Sequence, residues 1–403
     1  MRIPVSLFSL SQMPRQLLPA AALACTAVKC RPWMAPQTSR RTAPEMPGVD
    51  PHSLVVVSLH DLANPSFNFE QTIHAAFGPE GLGIIAIRGI PDWESLVGSA
   101  VPLAHKLQAL PSETLLSLED PTSLYSAGWS FGKEKFGDKP DTKKASFYFN
   151  PLCDDPNPPT RQQYPHFMPA NLWPKLELPV LEQQCKRLGC VMNEVTILLA
   201  QRIDALEYGV KIADEMRSSL RSMARMLYYF PVTEAEASDC GAKADGWIGW
   251  HNDSGFLTAL TPDFYFQHAT GQIVPNPEPE TAGLWIAARN GELHRISVPR
   301  DCMAIQCGES VQVVTGGKLV ATPHCVRPPV KTAGVSRSSM PVFVGVGATF
   351  PLTSPGPRDE VFHHSVKQWV PPLADRWTGL QNYAEFLGDS FKAYYGQSAA
   401  VKA

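Results

Sequence analysis

Short apolar segments follow one another along the C-terminal half of the sequence, between residues 224 and 346, and Gly, Pro or polar residues separate them. Regularly spaced short strands of this kind are typical of barrels and of double-sheet jelly rolls. We therefore predict a β-rich core over about residues 224–350, with a Pro-rich insertion at 262–282. The predicted strands are RMLYYFP, GFLTAL, GLWIAA, LHRISVP, CMAIQC, VQVV, LVAT and MPVFVGV.

Helical patterns surround this core. Apolar residues in the range Leu172–Leu206 recur at three- and four-residue steps, which indicates an amphipathic helix. Short β-branched runs at Ser53–Leu62 and Gly81–Pro91 indicate buried strands, whereas residues 120–165 are predicted to form a loop. Further helices are predicted over Phe69–Phe77, Ala213–Met223 and Gly379–Tyr395. The predicted fold class is α+β: a double-stranded β-helix (jelly roll) core with a helical N-terminal region and a C-terminal helix.

Composition and charge exclude several classes of protein. Of the 403 residues, 44% are apolar, which suffices for a large core and argues against a disordered chain. After the first 44 residues, 29 basic and 38 acidic residues give a net charge of −9, which would repel a phosphate backbone. The nine cysteines form no CxxC pair, so a zinc ribbon is not expected. We expect no nucleic-acid partner and no membrane partner.

The first 44 residues carry six basic residues and no acidic one. Together with their Ser, Thr and Ala content, this favours an organelle transit peptide. The run Leu17–Val28 also resembles the apolar region of a secretory signal, and a disordered extension of a cytoplasmic protein is a further alternative. We predict a transit peptide or disordered extension at 1–50, a single domain at 53–396 and a tail at 397–403. The expected location is a chloroplast or mitochondrion, with the cytoplasm as the alternative.

The segment WHNDSGFLTAL contains a histidine and an aspartate separated by one residue, His251 and Asp253. In a strand or the turn that leaves it, residues i and i+2 point the same way, so both side chains can reach one ion. His324, in the strand-like TPHCV, is the candidate third ligand. Two histidines and one carboxylate form a facial triad that leaves coordination positions open on iron(II). The alternative is that these are ordinary turn and core residues, since HxD triplets are common by chance.

Four motifs, in order, resemble those of the 2-oxoglutarate- and iron(II)-dependent dioxygenases, in the branch that contains isopenicillin N synthase and the plant flavonoid and gibberellin oxidases. HNDSGFLTAL matches the branch's pattern HxDxGxLTxL, and GESVQVVTGGKLVATPH resembles GDxLQxxSNG followed by the distal histidine. Residues 337–339 match RxS, and RMLYYFP resembles RxNxYPP with Leu227 in the Asn position. The resemblance covers about residues 53–396 and is specific because the motifs occur together.

The resemblance implies a role for each matching residue. The two histidines and the aspartate named above would hold iron(II), and no catalytic residue is expected beyond these metal ligands. Arg337 would bind the distal carboxylate of 2-oxoglutarate, which suits a planar guanidinium. Ser339 and Tyr229 would donate further hydrogen bonds, although core packing is an alternative for Tyr229. The implied cofactors are Fe(II), the cosubstrate 2-oxoglutarate and O2, with ascorbate as a candidate reductant.

The implied activity is the hydroxylation or oxidation of a small organic molecule, with succinate and CO2 as co-products. Two alternatives stay open. One is an iron(II) oxidase of the isopenicillin N synthase or aminocyclopropanecarboxylate oxidase type, which uses no 2-oxoglutarate, and the other is a non-catalytic jelly-roll binding protein. We expect a monomer with a small-molecule substrate. Five lysines between residues 128 and 151 indicate either a solvated loop or a lid over an anionic ligand.

Overall fold

The computed structural model describes residues 53–136, 139–156, 158–233, 235–236, 246–366 and 369–395. The predicted transit peptide or extension at 1–50 and the predicted tail at 397–403 lie outside these residues. None of the described helices combines the length and the apolar character needed to cross a bilayer.

Helices lie mainly before and after the β-rich region, and a 3-10 turn covers Pro121–Ser123. The described helices are α1 (Leu59–Ala63), α2 (Glu70–Phe77), α3 (Trp93–Ala100), α4 (Leu103–Gln108), α5 (Ser112–Ser117), α6 (Pro158–Gln163), α7 (Val180–Asp204), α8 (Ala213–Ser219), α9 (Glu309–Val314), α10 (Arg358–Phe362), α11 (Leu373–Arg376) and α12 (Tyr383–Tyr395).

The strands are short, as predicted, and most lie after residue 221. They are β1 (Val55–Ser58), β2 (Ile84–Arg88), β3 (Gly128–Phe131), β4 (Lys135–Phe136), β5 (Lys139–Pro140), β6 (Lys144–Phe149), β7 (Ser222–Tyr229), β8 (Ile248–His251), β9 (Leu257–Leu260), β10 (Phe264–Gln267), β11 (Gln272–Val274), β12 (Gly283–Ala287), β13 (Leu293–Ile296), β14 (Cys302–Cys307), β15 (His324–Arg327), β16 (Val335–Ser339) and β17 (Val342–Val344).

Two sheets organise the described strands. The large sheet has 11 strands in the order β1-β2-β14-β9-β17-β7-β16-β10-β11, with β6 paired to both β7 and β3. The second sheet has the order β13-β12-β15-β8, and β4 and β5 form a separate ribbon. Strands β1 and β2 are parallel, whereas the pairings within the second sheet are antiparallel. Residues of both sheets line a common cavity, so the space between the sheets is where a ligand can bind.

Helix α7 packs on the large sheet against β9 and β17. The amphipathic helix predicted over 172–206 is therefore present, but it begins only at Val180, after Pro179. Gly189 lies on the buried side of the helix, where a Cβ would come within 2.5 Å of the Pro151 ring. This glycine therefore allows the helix to approach the segment that follows β6. The buried stripe consists of Leu181, Cys185, Leu188, Met192, Val195, Leu199 and Ile203.

Two strand predictions are wrong and a third strand is shorter than predicted, each for an identifiable reason. The strand predicted at 311–314 is helix α9, whose residues are buried on every side, so their apolar run carries no period. Residues 319–322 form no strand, because the Ala321 N–H donates to Gln312 Oε1 at 3.0 Å rather than to a ladder. The strand predicted over 53–62 ends at Ser58, whose hydroxyl accepts from the Asp61 N–H and caps α1.

The predicted loop at 120–165 contains the paired strands β3 and β6, and β6 extends the large sheet beside β7. The strand β6 was not predicted because the lysines of this segment are typical of a solvated loop. Lys144 is almost fully buried because it forms ion pairs with Asp141 and Glu134, the latter at 3.0 Å. A paired lysine can therefore occupy a strand position that composition assigns to solvent.

Candidate active site

The structure brings together the three residues predicted to hold a metal. His251 ends β8 and His324 begins β15, and the two are directly opposite in the antiparallel ladder. Their ring centroids are 4.2 Å apart. Asp253, in the turn after β8, places Oδ1 at 3.9 Å from His251 Nε2 and 4.0 Å from His324 Nε2. One ligand atom from each side chain falls within 4.8 Å of the others, which is close enough to share one ion.

Both imidazoles are oriented by backbone carbonyls. His251 Nδ1 lies 2.7 Å from the Gly249 carbonyl oxygen, and His324 Nδ1 lies 3.2 Å from that of Thr322. A proton on Nδ1 that is donated to a carbonyl leaves Nε2 with a free lone pair, which is the form that binds a metal. Burial and the neighbouring His324 lower the pKa of His251 to about 4. The imidazole is therefore neutral and able to coordinate at neutral pH.

The donor set fits iron(II). The second carboxylate oxygen of Asp253, Oδ2, is buried and has no hydrogen-bond partner among the described residues. A buried carboxylate oxygen without a donor is costly unless it binds a cation. Two imidazole nitrogens and one carboxylate form the facial set that non-haem iron(II) sites use, so these residues suit that metal.

The turn that carries Asp253 is held from behind by α9. The Glu309 N–H donates to the Asp253 carbonyl at 2.8 Å. The Glu309 carboxylate accepts from Asn252 Nδ2 at 2.9 Å and from Ser254 Oγ at 3.3 Å, on either side of the aspartate. Ser310 Oγ also donates to the Ser254 carbonyl at 2.7 Å. These bonds hold both neighbours of the predicted ligand, so its backbone position is determined before any metal binds.

The C-terminal segment completes this support. Arg376 donates to both Glu309 oxygens, at 2.7 and 2.5 Å, and the side chains of this pair are 2% and 0% exposed. The same guanidinium donates to Ser390 Oγ at 2.9 Å in α12. Tyr394 of α12 accepts the Asn252 N–H at 3.0 Å through its hydroxyl. The predicted C-terminal helix is thus connected to the turn of the candidate metal site.

Arg337 occupies the middle of a row across the large sheet. It lies opposite Tyr229 of β7 and opposite Tyr265 of β10, so the three side chains share the face that lines the cavity. The guanidinium lies over the Tyr229 ring at 4.7 Å from its centroid. Ser339, also predicted as a cosubstrate ligand, follows two residues later on the same face. The register of three strands therefore assembles this end of the cavity.

The guanidinium of Arg337 is only partly satisfied. Its Nη2 donates to Asp263 Oδ1, whereas Nε and Nη1 are buried without a hydrogen-bond partner among the described residues. Burial opposes the positive charge, but Asp263, Tyr229 and Tyr265 raise the pKa of Arg337 above its usual value. The group is therefore a permanent cation with two free donors, which suits a carboxylate.

The two clusters line one cavity of about 350 Å³ between the sheets. His251, Asp253 and His324 contribute to its wall, as do Arg337 and Ser339. The rest of the wall is mixed, with apolar side chains such as Leu227, Leu284 and Phe343 beside polar ones such as Arg225, Arg300 and Gln306. A small ligand in this cavity can therefore contact a metal and the guanidinium at the same time.

The chain matches no family model. Scopoletin 8-hydroxylase from Arabidopsis thaliana is a curated relative, 27% identical over 211 residues, which are 51% of this chain and 45% of the relative. The chain thus aligns with less than half of the length of this relative.

Solved structures extend the comparison over most of the chain. A 2OG-Fe(II) oxygenase family protein from Caulobacter crescentus matches with a TM-score of 0.59 and 20% identity, covering 84% of this chain and 97% of that one. A full-length Neurospora crassa protein in complex with alpha-KG and thymine matches with a TM-score of 0.61 and 18% identity, covering 86% and 98%. This chain has the fold of the 2-oxoglutarate- and iron(II)-dependent oxygenases. The resemblance read from the sequence motifs is confirmed at the level of this fold.

On this oxygenase fold, the predicted site residues meet as two groups. The three predicted metal ligands form one cluster, and Arg337, Ser339 and Tyr229 line the same cavity. The Tyr229 ring contacts both the guanidinium and the Trp247 ring, whose centroid is 5.2 Å away. His294, which belongs to none of the matching motifs, lies on β13 opposite Ile286 and outside the cluster.

The sequence did not predict four polar residues around the candidate site. Asp263 and Tyr265 belong to the insertion at 262–282; Asp263 forms an ion pair with Arg337, and Tyr265 lies opposite it in the ladder. Glu309 stands at the aspartate position of the pattern GDxLQxxSNG, and no motif contains Arg376. An acidic residue inside an otherwise apolar buried helix is a signal for such a partner, since buried charges are almost always paired.

Proposed function

We propose that this protein is a non-haem iron(II)- and 2-oxoglutarate-dependent dioxygenase that hydroxylates or oxidises a small organic molecule. The observation that carries the proposal is a single cavity that contains both the His251, Asp253 and His324 cluster and the buried, half-satisfied guanidinium of Arg337. A metal-binding protein without this chemistry has no need for a buried cation that faces the metal cavity. The motif order and the shared fold support the same assignment.

Different residues would bind the metal and the cosubstrate. The triad would hold iron(II), and Arg337 with Ser339 would orient 2-oxoglutarate through its distal carboxylate. When bound, the iron and the 2-oxo acid supply the oxidising chemistry, in which O2 yields succinate, CO2 and an oxygenated substrate. The two Nδ1 hydrogen bonds keep both imidazoles in the coordinating tautomer.

The substrate we propose is a small molecule with both apolar and polar groups. The cavity of about 350 Å³ must hold the cosubstrate as well, and its remaining wall combines aliphatic and aromatic side chains with polar ones such as Arg300 and Gln306. The curated relative, which by its name hydroxylates scopoletin at position 8, supports a small-molecule hydroxylase. The net negative charge beyond residue 44 supports the absence of a nucleic-acid partner.

The finer architectural predictions remain part of the proposal. We infer that the two facing sheets form a jelly-roll core and that residues 53–396 are one domain that works as a monomer. The shared cavity lined by both sheets supports the jelly roll. We also infer an organelle location from the basic leader composition of the first 44 residues, which expression of the full chain fused to a fluorescent protein would test.

Titration of the metal-free full-length protein without oxygen tests the activity. Iron(II) is added first and 2-oxoglutarate second, while calorimetry follows each binding step, and succinate is then measured after admission of air. We expect one iron(II) per chain and tight binding of 2-oxoglutarate only when the metal is present. Succinate should be released slowly without substrate and faster when a small-molecule panel includes an acceptor.

His251→Ala and His294→Ala form a matched pair of controls, because both histidines lie in the second sheet and only the first belongs to the cluster. The first variant should lose iron, and the second should bind it like the wild type. Iron binding without any response to 2-oxoglutarate would instead indicate an oxidase that uses no 2-oxo acid. Absence of iron binding by the wild type would overturn the enzymatic proposal and leave a binding protein.

A further inference from the structure

A second set of cavity-facing side chains lies on the large sheet, away from Arg337. Phe343 of β17 is directly opposite Thr258 of β9, and Thr258 is directly opposite Gln306 of β14. All three residues line the cavity. They therefore form one row across three neighbouring strands, which we call the Phe343 row.

The Phe343 row is separate from the part of the cavity assigned to the cosubstrate. Arg337 lies opposite Tyr229 of β7, whereas the row begins opposite Met223 of the same strand, six residues away. Six residues of a strand extend over about 20 Å, which exceeds the length of a five-carbon acid. Strand β9, which carries the threonine of the row, follows the turn that contains Asp253. The row is therefore beside the metal site, where a substrate has to bind.

The two polar members of the row are buried in the cavity wall. Thr258 is 2% exposed and Gln306 is 3% exposed. Within the described part of the chain, neither the hydroxyl nor the amide forms a side-chain hydrogen bond. A buried polar group without a protein partner is costly unless a ligand or an ordered water satisfies it. The row therefore favours a ligand with complementary polar groups.

The aromatic member of the row offers a flat apolar surface. The Phe343 side chain is only partly buried, although its two neighbours in β17 are buried. Its ring has no aromatic neighbour among the residues that the structure describes. A planar ring of a ligand can therefore stack on it while the polar edge of that ligand reaches the other two members of the row.

The row itself carries no charge, and the cavity arginines do not supply an unpaired one there. Arg225, on the cavity face of β7, is paired with the Glu134 carboxylate at 2.5 Å. Arg295 and Arg300 lie beside β10, at the Arg337 end of the cavity. A carboxylate placed against the row would therefore lose its hydration without gaining a free cation, which disfavours an anionic group.

We propose that the Phe343 row is the substrate subsite and that the substrate is a planar, uncharged ring that contains a secondary amide, that is, a lactam or a cyclic imide. The amide of Gln306 presents a donor and an acceptor side by side, which match the C=O and N–H of a lactam edge. The Thr258 hydroxyl can donate to the same carbonyl. A lactone of equal shape has no N–H and leaves the Gln306 oxygen unpaired. The proposal rests on the proposed function and adds the class of its substrate.

The test uses two probes that differ in one group. 2-Quinolone is a lactam, and coumarin is the lactone with the same fused rings. Calorimetry measures the binding of each probe to the full-length protein loaded with iron(II) and 2-oxoglutarate, without oxygen. The wild type should bind 2-quinolone about ten-fold more tightly than coumarin, because a buried acceptor left unpaired costs about this factor.

Gln306→Met keeps the length of the side chain and removes its amide, so it should abolish the preference for 2-quinolone. Thr258→Val is a nearly isosteric second variant and should weaken 2-quinolone binding about five-fold. Both variants should bind iron(II) and 2-oxoglutarate like the wild type. Gln267→Met is the matched control, because Gln267 is exposed on β10 and lies outside the cavity wall. It should keep the wild-type preference.

Equal affinity of the wild type for the two probes, or binding of neither, would overturn the substrate class and leave the proposed function intact. A preference that survives in both Gln306→Met and Thr258→Val would do the same. Tighter binding of naphthalene-2-carboxylate than of 2-quinolone would assign an anion to the row and contradict the proposal. A wild-type protein that binds iron(II) but not 2-oxoglutarate would overturn the proposed function itself.

Discussion

The two ends of the cavity differ in how their buried charged groups are hydrogen-bonded. At the metal end, the buried carboxylate of the support is satisfied within the protein: Glu309 accepts from Asn252, Ser254 and Arg376. At the other end, Nε and Nη1 of the buried Arg337 have no hydrogen-bond partner among the described residues. The first end is organised before a ligand arrives, whereas the second end still has unmet hydrogen-bonding capacity.

This difference indicates that one end contributes mainly to folding stability and the other mainly to ligand binding. The buried Glu309 carboxylate, which accepts from three side chains, rigidifies the turn that carries Asp253 and contributes to folding. Unsatisfied donors lower the stability of the free protein and return that free energy when an anion binds. We therefore expect mutations at the metal support to reduce stability and mutations around Arg337 to reduce ligand affinity.

The largest effect should come from Asp253→Ala. Loss of a coordinating carboxylate should weaken iron(II) binding by more than ~100-fold, beyond what an outer-shell partner contributes. The metal-free variant should unfold at nearly the wild-type denaturant concentration, because Oδ2 has no hydrogen-bond partner among the described residues. Metal titration and urea unfolding measure the two quantities. A large stability loss in the metal-free protein would show that Asp253 belongs to the folding support rather than to the metal.

Arg376→Met and Arg337→Met test the comparison directly. The first variant leaves Glu309, which is 0% exposed, without its cation, and should cost about 3–5 kcal/mol of unfolding free energy. The second leaves Asp263, whose side chain is 27% exposed and can be hydrated, so it should cost about 1 kcal/mol or less. Chemical unfolding of both metal-free variants gives these values.

Affinity for 2-oxoglutarate should follow the opposite order. Arg337→Met should weaken it about 100-fold, since the variant loses a charged donor pair. Arg376→Met should change it only slightly in the fraction of protein that remains folded. If both variants lost stability and affinity in the same proportion, the division of the cavity into two differently built ends would be wrong.

A third buried cluster allows a pH test of how much a paired buried carboxylate contributes to the free energy of unfolding. Burial disfavours the charged form of Glu134, but Arg225 and Lys144 lower its pKa from 4.5 to about 2. Its folded pKa is depressed, so its stabilisation is complete above pH 4.5 and is lost as the pH falls towards 2. The loss should reach about 3 kcal/mol. Unfolding between pH 6 and 2 measures it, and Glu134→Gln should flatten this slope while the exposed Glu113→Gln leaves it unchanged.

The metal cluster could be predicted from the sequence because its information is local. Two ligands are separated by one residue in a recognisable motif, and the third lies at a characteristic distance from a second motif. The helices with clear periodicity, such as α7, were likewise found, although proline delayed its start to Val180. Local signals therefore sufficed wherever the residues that matter are near in sequence.

The supporting groups could not be predicted, since their partners are far apart in the chain. Asp263 and Arg337 are 74 residues apart, and Glu309 and Arg376 are 67 apart. Which residues meet depends on strand register and on where the C-terminal segment returns, and neither has a local signature. The same reason explains the insertion: its Pro-rich composition gave no sign of the strand β10, which forms by pairing with β16.

The smallest effect, and the finest test of the unsatisfied end, concerns Ser339. Its side chain lies on the cavity face opposite Leu227, two residues beyond Arg337 in β16. If it donates to the same carboxylate as the guanidinium, Ser339→Ala should cost about 1 kcal/mol of binding free energy, or about five-fold in the affinity for 2-oxoglutarate. Ser336→Ala is the matched control, because that hydroxyl bonds to Tyr228 away from the cavity. If Ser339→Ala reduced the free energy of unfolding more than the free energy of 2-oxoglutarate binding, this hydroxyl would belong to the groups that stabilise the fold. The ligand-binding end of the cavity would then begin at Arg337.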